Sequence, residues 1–144
     1  MNRHTIGPVF CEVSNTGVQA IVAGGTTVVF DTVILDAWGM LNPANGVITV
    51  PFDGGYRVCL AAEYVFNATG SYRQFSVQHN ATTTKGVDRR YAVAAIQFSS
   101  TFRTVHCAAG DTLRIRGAHD ASSSINVSHQ TDYSAYLTVE RVCP

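Results

Sequence analysis

The sequence predicts an all-β fold, a sandwich or barrel of about ten strands. Three observations lead there. Short runs rich in Val, Ile, Thr, Tyr and Phe recur along the chain, several alternating apolar and polar with period two, and Gly, Pro, Asn or Asp punctuates them at regular intervals. No stretch shows the 3.6-residue spacing and capping residues of a helix. The 144 residues make one domain, 46% hydrophobic and only 14% charged, large enough to bury a core without a metal or disulfide.

Residues 1–12 read as an N-terminal lead, either a frayed end or an anchoring arm that orders between subunits of a larger shell. The β domain then occupies 13–144. Residues 18–23 and 26–30 are strand-like and are broken by Gly24-Gly25. Residues 31–41 run into Asn42-Pro43-Ala44-Asn45-Gly46, a strong turn signal. Val47 to Val50 form a short strand that Pro51 stops, and Asp53-Gly54-Gly55 turns into a long strand over 56–66. After the turn at 67–70, residues 71–79 alternate Tyr72, Gln74, Ser76 and Gln78 against Arg73, Phe75, Val77 and His79, the pattern of a half-buried strand. Residues 80–90 read as a polar loop and 91–107 as a long, interrupted strand. Ala108 to Asp111 turn into an alternating strand at 112–116. A soft stretch at 118–124 precedes strands at 125–127 and 133–142.

Ten basic and ten acidic side chains cancel, so no net field recruits nucleic acid or an anionic membrane, and no apolar run approaches the length of a membrane span. Charge this sparse fits a surface largely covered by partner subunits; the alternative is a Thr/Ser-rich monomer. Nine arginines stand against the single Lys85, a skew that follows from a GC-rich coding genome or from a need for bidentate contacts. Cys11, Cys59, Cys107 and Cys143 form no Cys-x-x-Cys motif. Cys11 and Cys143 lie near opposite chain ends and are a candidate disulfide, against the reading of buried free thiols. The start has no apolar signal-peptide core, which suggests use without secretion or prior removal of an export signal. Glycosylation-type triplets begin at Asn67, Asn80 and Asn126 and keep a secreted origin open.

Chemistry-bearing patterns are sparse. There is no Gly-x-Ser-x-Gly elbow, and Gly24-Gly25 and Gly54-Gly55 precede no helix that would make them phosphate loops. His119-Asp120 and the pair His129 and Asp132 tempt a metal assignment but lack ligand spacing. No catalytic, cofactor-binding or metal residue is expected.

Phe30-Asp31 behind an alternating strand, then Asn45-Gly46-Val47-Ile48-Thr49-Val50-Pro51, then Gly54-Gly55-Tyr56-Arg57-Val58 form an ordered series. It resembles the signature of the tumour necrosis factor and complement first-component globular-head superfamily. Ala109-Gly110-Asp111-Thr112-Leu113-Arg114-Ile115 resembles that family's Gly-Asp turn before a strand, and Tyr133-Ser134-Ala135-Tyr136-Leu137 its last strand. The resemblance implies a ten-stranded jelly-roll sandwich assembled as a homotrimer, with Tyr56, Tyr133 and Tyr136 as candidate interface anchors. The short lead and the arginine-rich composition look closest to bacteriophage and bacterial members, which are virion surface modules. The implied function is non-enzymatic: a capsid decoration (cement) protein on the outer head, made in the host cytoplasm, with the major capsid protein or another virion protein as partner. One alternative is a tail- or head-fibre tip binding a host receptor or glycan through Asn80, Lys85, Arg89, Arg90, His119 and Asp120. The other is a secreted ligand or adhesion domain.

Overall fold

The computed structural model describes residues 7–65, 67, 69–92, 96–129 and 134–144, with backbone alone at 96 and 97. Among them stand fourteen strands: β1 Phe10–Ser14, β2 Gln19–Ile21, β3 Thr26–Thr27, β4 Thr32–Asp36, β5 Leu41–Asn42, β6 Val47–Thr49, β7 Gly54–Tyr64, β8 Tyr72–His79, β9 Thr83–Tyr91, β10 Ile96–Thr101, β11 Val105–Cys107, β12 Thr112–His119, β13 Ile125–Val127 and β14 Tyr136–Cys143. They form two antiparallel sheets. The eight-stranded sheet runs β2-β13-β7-β14-β1-β4, with β10 and β11 on the far side of β7; the six-stranded sheet runs β5-β6-β12-β8-β9, with β3 beside β12. The all-β class holds. The expected ten strands become fourteen because two- and three-residue pieces such as β3, β5 and β11 pair where turn residues leave too little length for a recognisable alternation.

Period-two alternation builds the core. Along β7, Tyr56, Val58, Leu60, Ala62 and Tyr64 point inward, while Arg57, Cys59, Ala61 and Glu63 point out. From the opposite sheet Phe75, Val77, Leu113 and Ile115 meet them. Phe75 joins the sheets most directly: its ring stacks on Tyr64 at 4.7 Å and meets Phe98 edge-on at 4.8 Å. At the predicted turn before β6, the amides of Asn45 and Gly46 both donate to the Asn42 carbonyl. Gly46 takes φ 68°, and a side chain there would strike the backbone of Val28 and Val29.

Several expectations are corrected. Residues 10–12, assigned to the lead, belong to β1 between β14 and β4, and Cys11 is fully buried. The polar loop at 80–90 is mostly β9, folded on β8 through residues 80–82, with positive φ at Asn80 (49°) and Ala81 (66°). Its Thr, Lys, Asp and Arg composition hid an edge strand whose side chains are largely solvated. In the stretch taken as soft, Ala118 and His119 end β12 and are buried. The candidate Cys11–Cys143 disulfide is absent: all four cysteines are free. Cys11 pairs with Val139, so Cys143 lies four residues further along β14, about 13 Å away. A disulfide needs Cα atoms within about 7 Å.

Candidate functional site

The outward face of the eight-stranded sheet carries a patch of small side chains bordered by larger ones. The register places Leu35, Glu12, Thr138, Cys59 and Thr101 in one cross-strand row, and Tyr136, Ala61 and Ser99 in the next. A third row holds Phe10, Glu140 and Arg57, with Arg57 and Glu140 paired at 2.5 Å. Tyr136 is 42% exposed and stands over Ala61, its direct partner. At the edge of the same sheet, Val33, Ile34, Leu35 and nearby Trp38 are each 42–52% exposed. A flat face of Ala, Cys, Ser and Thr beside exposed aliphatic and aromatic groups can approach another surface closely without stripping water from many charges.

The candidate interface tyrosines separate. Tyr136 lies on this face. Tyr56 does not: it is fully buried, and its hydroxyl donates to the Phe52 carbonyl at 2.8 Å. Odd and even positions of β7 face opposite ways, and Tyr56 has the core parity. Tyr133 lies outside the described residues.

At one corner of the sandwich Ser71, Tyr72, Arg89, Arg90 and Tyr91 line a hollow of about 280 Å³. The Arg89 guanidinium sits 4.3 Å above the Tyr72 ring, and its Nε donates to Gln74 Oε1 at 2.7 Å. Tyr91 is 83% exposed. Asp120 holds the wall of the hollow: Oδ1 accepts from the amides of Ser71 and Tyr72, and Oδ2 from the Ser71 hydroxyl. Those bonds, the hydroxyl's first, hold its carboxyl down at about 2. Gly70 (φ 78°) is required beside it, since a Cβ would lie 2.7 Å from Asp120 Oδ1 and from the Ala121 amide. Arg73, 2% exposed, anchors the same loop by donating to the carbonyls of Asn67, Thr69 and Tyr72.

The structure therefore divides the expected partner-contact residues. Arg89, Arg90 and Asp120 converge at this corner. Asn80 and Lys85 do not, and His119 is no surface residue: it is 1% exposed, with Nε2 donating to the Ile21 carbonyl at 2.6 Å and Nδ1 accepting from the Ala121 amide. Arg90 pairs with Asp88 at 2.8 Å and lies 4.5 Å over the Phe98 ring.

Asn80 belongs instead to a polar cluster at the β8–β9 turn. Its Nδ2 donates to Asp111 Oδ1 at 2.8 Å, and its Oδ1 accepts from the Thr112 amide at 2.8 Å. Asp111 Oδ2 lies 2.8 Å from His79 Nε2 and accepts from the Ala108 amide at 2.9 Å. The Asn80 bond leads the causes that hold the Asp111 carboxyl at about 2. Sequence reasoning missed the His79–Asp111 pairing because the two residues stand 32 positions apart. The turn residues Ala108 to Asp111 were the one local signal.

This architecture defines a class: a jelly-roll sandwich of the tumour necrosis factor and complement globular-head type. The globular domain of zebrafish complement 1qA superposes with a TM-score of 0.67 at 13% identity, over 92% of this chain and 96% of that one. The Eiger TNF of S. frugiperda gives 0.67 at 15% identity over 94% and 92%. Murine APRIL gives 0.64 at 14% identity over 92% and 98%. At these identities the likeness is one of fold. No protein-family model matches the chain, and no curated protein matches it.

Proposed function

We propose that the protein is a non-enzymatic, homotrimeric virion-surface module, a decoration protein that cements the outside of a bacteriophage head. The observation that carries assembly is the outward face of the eight-stranded sheet, where the half-exposed Tyr136 adjoins the small residues Ala61, Cys59, Ser99 and Thr138, and the neighbouring Arg57 and Glu140 neutralise each other. The resemblance to trimeric jelly rolls and the low overall charge support three copies meeting there. The arginine-rich, lysine-poor composition supports a virion setting. A trimer spread over neighbouring capsid subunits adds three weak contacts through effective concentration, which is how cement raises shell stability. Recombinant trimer is expected to bind purified capsids that lack it and to raise their melting temperature. A trimer that neither binds such capsids nor shifts their melting overturns the decoration role while leaving assembly intact.

A second reading is a fibre tip that binds a host receptor or glycan, favoured by the hollow between Tyr72, Arg89 and Tyr91, which combines exposed aromatic faces with a guanidinium. Binding of isolated trimer to host cells, abolished by Tyr91→Ala, distinguishes it from decoration. The complement and tumour necrosis factor neighbours favour the remaining alternative, a secreted ligand domain, for which glycan on Asn67 or Asn126 in a native source is the expected mark.

A further inference from the structure

The cluster at the β8–β9 turn has a property that its hydrogen bonds do not exhaust. His79, Cys107 and Asp111 each offer one ligand atom, and these atoms all lie within 4.8 Å of one another. They come from three separate places: the end of β8, the end of β11 and the turn that opens β12. β8 and β12 belong to the six-stranded sheet and β11 to the eight-stranded one, so the cluster spans the two layers at one end of the sandwich. Cys107 is 7% exposed, whereas the His79 and Asp111 side chains keep 16% and 23%, so the cluster lies at the surface rather than in the core.

We propose that His79 Nε2, Cys107 Sγ and Asp111 form a site for a zinc-class divalent cation that clamps the two sheets, with water in the fourth position. A mixed N, S and O donor set in tetrahedral reach is what such a cation takes, and calcium or magnesium would reject the thiolate. Ligand distances of about 2.0–2.3 Å place tetrahedral donors about 3.4–3.6 Å apart. His79 Nε2 and Asp111 Oδ2, now 2.8 Å apart, need to separate by about half an ångström, and the widest donor pair, at up to 4.8 Å, needs to close by about 1 Å, both through side-chain χ rotation. The supporting shell is already present. The Ala108 amide and Asn80 Nδ2 fix the carboxylate, and the Thr112 amide fixes Asn80 in turn.

Charge balances as well. A thiolate and a carboxylate neutralise a dication, and binding releases the Cys107 thiol proton together with any proton held between His79 and Asp111.

The test is titration of chelator-treated full-length protein with cobalt(II), followed by displacement with zinc. One equivalent of cobalt is expected to give the visible bands of a tetrahedral ion and a near-ultraviolet thiolate charge-transfer band, both bleached by one equivalent of zinc. Zinc alone should raise the melting temperature by several degrees. Cys107→Ser should remove the charge-transfer band, with Cys59→Ser and Cys143→Ser as retaining controls. His79→Gln and Asp111→Asn should each weaken cobalt binding at least tenfold. Absence of the band, its survival in Cys107→Ser, or a melting temperature indifferent to zinc overturns the proposal. Should Cys107→Ser fold poorly by circular dichroism, His79→Gln decides in its place.

Discussion

On the outward face of the six-stranded sheet, long polar side chains bridge neighbouring strands. Arg89 donates to Gln74 at 2.7 Å, Arg114 donates to Gln78 at 3.0 Å and to the Ala81 carbonyl at 2.7 Å, and Arg116 reaches the Gly24 carbonyl. On the outward face of the eight-stranded sheet, the corresponding positions hold Ala61, Cys59, Ser99, Thr101 and Thr138, with Glu12 beside Thr138 and the Arg57–Glu140 pair in the adjacent row. The two faces therefore differ in how far their long side chains reach across neighbouring strands. One face satisfies its donors across its own strands and is finished in water; the other presents small groups whose close approach to a partner costs little desolvation. The difference favours the eight-stranded sheet as the one covered in the proposed assembly.

The most forceful way to break this comparison is a bulky charge on the smooth face. Ala61→Arg places a guanidinium between Tyr136 and Ser99, where a close-packed partner would bury it unpaired. Light scattering is expected to show the native mass falling from trimer to monomer, whereas Gln78→Ala on the opposite sheet leaves it unchanged. A trimer that survives Ala61→Arg places the interface elsewhere.

The next effect concerns stability. Arg73→Ala removes the donors to three loop carbonyls, and with one or two left unsatisfied the loss is about 3 kcal/mol in urea denaturation. A loss below about 1 kcal/mol would mean that water replaces the guanidinium and that the corner hollow is not held from beneath. Gly70→Ala, forced into positive φ against Asp120 and Ala121, is expected to cost about 1–3 kcal/mol and to loosen the same corner.

How much of this was legible in advance follows from the range of each signal. β7, β8 and β14 were readable because a long alternating strand carries its own periodicity, and the turns at Asn42 to Gly46 and Ala108 to Asp111 because their residues encode the backbone locally. β1 and β9 were not. β1 is short and follows a lead of no pattern, and β9 at a sheet edge carries the charges that a solvated loop also carries. Of the two described interface candidates, Tyr136 faces outward and Tyr56 inward, a parity that depends on where each strand enters the sheet. His79 meets Asp111, and Asp120 meets Ser71, only through register across the sandwich, which no spacing in the sequence reports.

Acid gives a smaller, graded effect. Asp111 and Asp120 titrate at about 2 in the folded chain, below the ordinary 3.8. Between those values the unfolded chain binds more protons, so both contribute stability that is present above about pH 4 and lost as pH falls toward 2. The melting temperature should decline through that window. Asp120→Asn should flatten the decline, its amide keeping one acceptor but no charge. An identical pH profile for wild type and variant would remove Asp120 from the account.

The smallest effect returns to the two faces through their cysteines. Cys11 is fully buried, its thiol pushed up to about 12 by burial and the nearby Asp36, so it should resist alkylation whatever the state of assembly. Cys59 is only partly buried in the single chain and lies in the middle of the smooth face, paired with Thr138 and Thr101. Cys143, also partly buried, lies against Gly55 at the end of β14 and away from those rows. Intact-mass labelling at neutral pH is therefore expected to modify Cys143 in wild-type protein and to spare Cys59. In Ala61→Arg, where assembly is lost and the fold is retained, Cys59 should react as well. Rapid labelling of Cys59 in the wild-type protein would mean that the small residues of this sheet face water, and the contrast between the two faces would then reflect composition alone.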